Sequence, residues 1–211
     1  MIIAIDGPTA AGKGTLARQL ADHFDFAYLD TGSIYRAVAS LVLEAQVDVN
    51  NQAEVTALAQ KLRAEDLQRT DLRAEEVGQL ASRIAVYPDV RQALLDFQRS
   101  FAESPPDQAK GAVLDGRDIG TVICPSADLK LYITASDEVR ASRRHKELID
   151  KGVTAIYAEI LADLKVRDQR DQSRSAAPSR PAEDAFILDT STMSAEAVLD
   201  KALSLVAGLQ R

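Results

Sequence analysis

The chain has 211 residues and a formal net charge of -7 at pH 7. A net-negative chain repels phosphate polymers and anionic bilayers, which argues against nucleic-acid binding and attachment to a membrane surface. Hydrophobic residues make up 46% and aromatics 5%, with one cysteine, Cys124; a mainly aliphatic core is expected, an intrachain disulfide is excluded, and Cys124 reads as a small buried side chain.

The first apolar run, Ile2–Ile5, reads as a buried strand. No basic or apolar leader precedes it, and no run approaches the roughly 20 apolar residues of a membrane span. The expectation is a cytoplasmic protein. Gly7-Pro8-Thr9-Ala10-Ala11-Gly12-Lys13-Gly14-Thr15 follows and opens a helix over Gly12–Phe24. A second strand, Ala27–Leu29, leads into Leu29-Asp30-Thr31-Gly32-Ser33-Ile34-Tyr35-Arg36 and a helix over Ser33–Ala45. Helical patterns continue at Asn51–Arg63, Arg73–Tyr87 and Pro88–Glu103. The linker-like stretch Glu103–Lys110 reads as a boundary. Then come a strand at Ala112–Leu114, the loop Leu114-Asp115-Gly116-Arg117-Asp118-Ile119-Gly120-Thr121, and a strand at Leu129–Thr134. Helices over Ser136–Lys151 and Ile156–Asp171, a strand at Ala185–Leu188 and a helix over Ser194–Leu209 complete the pattern.

Strands separated by helices predict an α/β fold, with a five-stranded parallel sheet covered on both faces in three layers. The helical stretch between the second and third strands is too long for one crossover, so residues 31–106 read as an insertion that binds substrate. Residues 146–176, dense in Arg and Asp, read as a short helical lid. Residues 1–30, 107–145 and 177–211 form the core.

The glycine-rich segment after the first strand has the form of a phosphate-cradling P-loop. Gly7 and Gly12 let the backbone turn its N–H groups inward, the helix N-terminus adds positive potential, and Lys13 supplies a point charge for the β- and γ-phosphates. The general motif places Ser or Thr directly after the lysine as a Mg²⁺ ligand. Here Gly14 stands there and the hydroxyl comes at Thr15. This G-K-G-T variant resembles nucleoside monophosphate kinases, and it implies Mg²⁺ held largely by phosphates and water. Ligands of an open parallel sheet bind outside the carboxyl ends of its strands, which brings Asp115, Arg117 and Asp118 to the mouth that holds Lys13. Arg36 lies one helical turn beyond Gly32 near the same mouth, and its planar fork suits phosphate.

The blocks L-D-T-G-x-I-Y-R, S-R-I-A-x-x-P-x-V-R (Ser82 to Arg91), L-D-G-R-D-I-G-T and R-D-x-R-D-x-x-R (Arg167 to Arg174) occur in that order after G-P-x-A-A-G-K-G-T. Together they resemble the bacterial cytidylate kinases from end to end. The resemblance implies ATP and CMP or dCMP as substrates, with Mg²⁺ accompanying ATP. It implies that Arg36, Arg117 and Arg174 grip the acceptor phosphate, that Ser82, Arg91 and Asp118 read cytosine, and that Arg167 and Asp171 meet the ribose while Thr31 lines the acceptor site. Asp115 matches a carboxylate that orders Mg²⁺ through water. Many members carry a β-rich segment in the insertion. Here Leu62 to Arg73 is short and helix-prone, so a compact, wholly helical insertion is expected.

The chemistry runs parallel to these roles. Cytosine offers an amino donor at N4 and acceptors at N3 and O2. Asp118 can accept from the first and Arg91 can donate to the others, whereas uracil would leave Asp118 facing a lone pair. Arg143 and Arg144 are expected on the ATP side and Arg167 and Arg174 on the acceptor side, with Lys13, Arg117, Arg143, Arg144 and Arg174 carrying the transferring charge. An acceptor phosphate is already ionised, so no side chain is needed as general base. His23 and His145 read as surface residues, and a monomer is expected.

Other readings stay open at this level. A kinase for adenylate, uridylate or a shikimate-type acceptor shares the P-loop, although Gly14 argues against the last. A nucleotide-dependent switch would show N-K-x-D, and neither Asn50 nor Asn51 begins that motif.

Overall fold

The computed structural model describes residues 1–209. Five strands form one parallel sheet: β1 (Ile2–Asp6), β2 (Ala27–Asp30), β3 (Ala112–Gly116), β4 (Leu129–Thr134) and β5 (Phe186–Asp189), in the order β2-β3-β1-β4-β5. Among the described residues eight α-helices accompany them: α1 (Lys13–Phe24), α2 (Thr31–Glu44), α3 (Gln52–Gln60), α4 (Glu75–Ile84), α5 (Pro88–Glu103), α6 (Asp137–Asp150), α7 (Tyr157–Ser173) and α8 (Ala195–Leu209).

Helices cover both faces. On one side α1 presents Leu16, Ala17, Leu20 and Ala21, spaced along one helical face. They meet Ile3, Ile5, Leu131 and Ile133 of the sheet, with Val198, Ala202 and Val206 of α8. On the other side Ala4, Leu29 and Leu114 join Ile34, Val38 and Val42 of α2, Val77 and Ile84 of α4, and Val90 and Leu94 of α5 in one cluster. Residues 31–106 therefore share the apolar packing of the sheet. Among the described residues this insertion contains no strand, and Ala64–Gln68 forms a short 3₁₀ turn within the segment expected to be helix-prone.

Four of the five strands run one or two residues further at their carboxyl ends than the apolar runs suggested. Asp6, Asp30, Asp115 with Gly116, and Asp189 all pair in the ladders. Ladder bonds are made by the backbone, so a polar side chain at a strand end does not interrupt them. In the observed register Asp30 lies beside Asp115, and Asp6 lies beside Gly116. α4 stops at Ile84, short of the expected Tyr87. Tyr87 precedes a proline, which disfavours helical backbone; it is extended at φ -78°, ψ 118° and caps α5. A π-helical turn over Ile119–Ile123 follows the third strand and had no periodic signal. Cys124 is buried, and burial pushes its thiol up to about 11. His23 is exposed. His145 is instead half-buried, with a ring nitrogen 3.2 Å from the Ala155 carbonyl.

Candidate active site

The loop between β1 and α1 owes its path to two glycines. Gly7 has φ 143°, and a side chain there would start 2.0 Å from the Ile133 carbonyl oxygen. Gly12 has φ 97° and caps α1. Lys13, the first residue of α1, folds back to donate to the Pro8 carbonyl at 2.8 Å. Burial, followed by the Arg117 guanidinium, lowers its ammonium to about 7. Thr15 is exposed beyond it.

Asp115 closes the opposite wall. Burial, then the neighbouring Asp30 carboxylate, raises it to about 7. Tyr28 donates to its Oδ2 at 3.4 Å, and Thr31 donates to its carbonyl at 2.7 Å. A side chain at residue 14 would begin 3.2 Å from the same Oδ2, so Gly14 leaves open the space before that carboxylate. Among the described residues no three His, Cys, Asp or Glu side chains group to hold a metal by themselves. The arrangement fits a hydrated Mg²⁺ that takes its remaining ligands from a nucleotide.

Three arginines surround another side of this mouth. Arg117 donates to Thr9 Oγ1 at 2.7 Å and to Asp171 Oδ2 at 3.0 Å, so it ties the P-loop to α7. Arg36 stands 3.8 Å from Asp30. Arg167 has its Nε buried without a partner. Burial, then the Arg117 and Arg36 charges, lower it to about 10 against the opposing pull of Asp171 and Glu75. A guanidinium confined beside two others is a receptor for a multiply charged anion.

Deeper on the same side, Asp118 meets Arg91 in a buried ion pair and receives a second contact from Arg174 at 3.4 Å. Tyr35 lies under Arg91, its ring centre 5.6 Å from the guanidinium carbon. Ser82 is 4% exposed and accepts from Arg170 of α7 at 2.9 Å. Arg91 of α5 thus meets Asp118 of the loop after β3, while Ser82 of α4 is engaged by Arg170 of α7. This cluster of Lys13 and arginines lies in a chain whose overall charge is -7.

The family model described as cytidylate kinase matches residues 3–208. The chain belongs to the cytidylate kinase family. Curated cytidylate kinases are similar over almost the full length: that of Paramagnetospirillum magneticum is 56% identical over 205 residues, 97% of each chain. That of Cereibacter sphaeroides is 55% identical over 97% of this chain and 94% of its own. That of Brucella suis is 51% identical over 97% and 92%. A solved structure of an uncharacterised protein from Eubacterium ventriosum shares the fold at a TM-score of 0.54 and 14% identity, covering 98% of both chains.

Within this cytidylate kinase site, two arginines stand differently from each other. Arg143 donates to the Ala11 carbonyl at 3.4 Å and to Thr190 Oγ1 and O at 2.9 and 2.7 Å, so it belongs to the P-loop wall. Arg144 turns to the insertion, donating to Glu75 at 2.8 Å and Glu147 at 3.1 Å. Residues the sequence reading had not assigned also matter. Arg140 is 3% exposed and donates to the Thr9 and Ala135 carbonyls, and it pairs with Asp137 and Asp168. Its signal was available as a basic residue recurring on a helix beside Arg143 and Arg144, but nothing local told an inward arginine from an outward one.

Proposed function

We propose that the chain transfers the γ-phosphate of ATP to CMP or dCMP, releasing ADP and CDP or dCDP, as a cytoplasmic monomer serving pyrimidine nucleotide metabolism. The observation that carries this reading is the buried Arg91–Asp118 pair, reached also by Arg174, in a P-loop chain of the cytidylate kinase family. Asp118 accepts from the cytosine amino group, while Arg91 donates to the ring acceptors. Uracil would set its O4 lone pair against the Asp118 carboxylate.

The acceptor phosphate is ionised at neutral pH and attacks without a general base. The residues of this chain hold the two nucleotides in line and neutralise the spreading negative charge. Residues Gly7 to Thr15 cradle the ATP phosphates, with Lys13 as the point charge. Arg117 faces both nucleotides, since it already contacts Thr9 and Asp171. Arg36, Arg167 and Arg174 receive the acceptor phosphate and ribose together with Asp171, while Thr31 holds the floor. Arg143 braces the P-loop, and Arg144 ties α6 to the insertion. Asp115 would hold a Mg²⁺ arriving with ATP through water, and the ion would supply further charge neutralisation. α7 excludes bulk water by closing over the mouth.

The test is an ADP-release assay with Mg-ATP and separate CMP, dCMP, UMP, AMP and GMP acceptors. Turnover with CMP or dCMP far above the others is expected. Equal or faster turnover with UMP or AMP would overturn the base-reading argument.

A further inference from the structure

Asp6 ends β1 and has no part in the chemistry above, yet it is 4% exposed. Burying a carboxylate costs free energy unless its oxygens find donors. Both do. Oδ1 accepts from the Ile119 amide and Oδ2 from the Gly120 amide, each at 2.8 Å. These amides open the π-helical turn directly after Arg117 and Asp118. The turn then leads back to Asp118, whose carbonyl accepts from the Val122 and Ile123 amides at 2.9 and 3.2 Å. At its far end Arg99 of α5 donates to the Val122 and Ile123 carbonyls at 3.0 and 3.1 Å. The turn packs on its other side against Lys130: a Cβ at Gly120 would sit 3.2 Å from Lys130 Cδ, and in ordinary contact with Asp6 Oδ2 at 3.4 Å.

Among the described residues, the side-chain contacts of Asp118 come from Arg91 and Arg174. The backbone of Asp118 is held by the turn, and the first two amides of the turn are held by Asp6. We infer that Asp6 is a positioning residue for acceptor recognition: by gripping the Ile119 and Gly120 amides it fixes the backbone of Asp118, and so the angle at which that carboxylate meets the acceptor base. This inference rests on the role given to Asp118 under the proposed function.

Asp6→Asn keeps the shape but turns an NH₂ toward one of the two amides, donor against donor. In steady-state kinetics with CMP, UMP and ATP varied separately, KM for CMP rises about tenfold, the CMP-to-UMP ratio of kcat/KM falls about as much, and KM for ATP moves less than about twofold. Asp6→Glu keeps the charge but lengthens the arm by one methylene, so its oxygens displace the same two amides and reproduce the split, which keeps the test open where Asp6→Asn does not fold. Both KM values moving together, or a lowered Tm with an unchanged CMP-to-UMP ratio, would overturn the inference. Wild-type protein in the same assay separates the two claims: no CMP preference defeats the proposed function, while the split between the KM of whichever monophosphate it uses and that of ATP still decides the role of Asp6.

Discussion

Asp118 is shared between two arginines, Arg91 and Arg174, and one substitution should separate its charge from its shape. Asp118→Asn keeps the volume and can present an NH₂ to the O4 of uracil. The CMP-to-UMP ratio of kcat/KM is expected to fall by about 10², since the proposed discrimination rests on complementary hydrogen bonds. An unchanged ratio would remove Asp118 from base reading. Across the mouth, Lys13 and Asp115 both stand near 7 in the free protein, one lowered and the other raised, chiefly by burial. A bound polyphosphate raises both, because it favours the ammonium and disfavours the carboxylate. Binding of metal-free ATP at pH 8 should therefore take up protons. Titration calorimetry in buffers of different ionisation enthalpy reads this directly, and identical apparent enthalpies would contradict it.

At the scale of the element, α7 makes its contacts with the rest of the site through charged side chains. Asp171 takes Arg117, Asp168 takes Arg140, and Arg170 reaches Ser82 of α4, while α6 adds Arg144 to Glu75. Its exposed apolar residues, Tyr157 and Val166, and only one buried leucine, Leu164, leave it little hydrophobic anchorage. The variant Arg170→Ala should raise amide hydrogen exchange over residues 157–173, while exchange in the sheet stays as it was. Equal exchange in wild type and variant would show that the Arg170–Ser82 contact does not hold α7. The existence and order of β1 to β5 and α1 to α8 were legible because apolar runs and helical periodicity report burial. Gly7, Lys13 and the D-G-R-D block were legible because a strand followed by such a loop has few other uses. The direction of Arg144, the contact of Arg170 with Ser82 and the grip of Asp6 on the π-turn were not. Each depends on a partner 69 to 114 positions away, and local pattern carries no information about such a partner.

For the whole molecule, the apolar cluster that joins Ala4, Leu29 and Leu114 of the sheet to α2, α4 and α5 makes the insertion and the core one packing unit. Leu94→Ala, at a site 1% exposed in that cluster, should cost about 2–5 kcal/mol. Chemical denaturation should remain a single transition for wild type and variant when followed by far-ultraviolet dichroism and by Tyr fluorescence. Two separated transitions would instead mark residues 31–106 as an independent folding unit. The same cluster has a consequence for protein engineering. A chimera that exchanged residues 31–106 for the insertion of a kinase with another acceptor would bring half of a core without its counterpart, and would expose or overpack the facing side of the sheet. Acceptor preference in this chain is therefore best redirected by point changes along the polar rim of the mouth, with the seam between insertion and sheet kept whole.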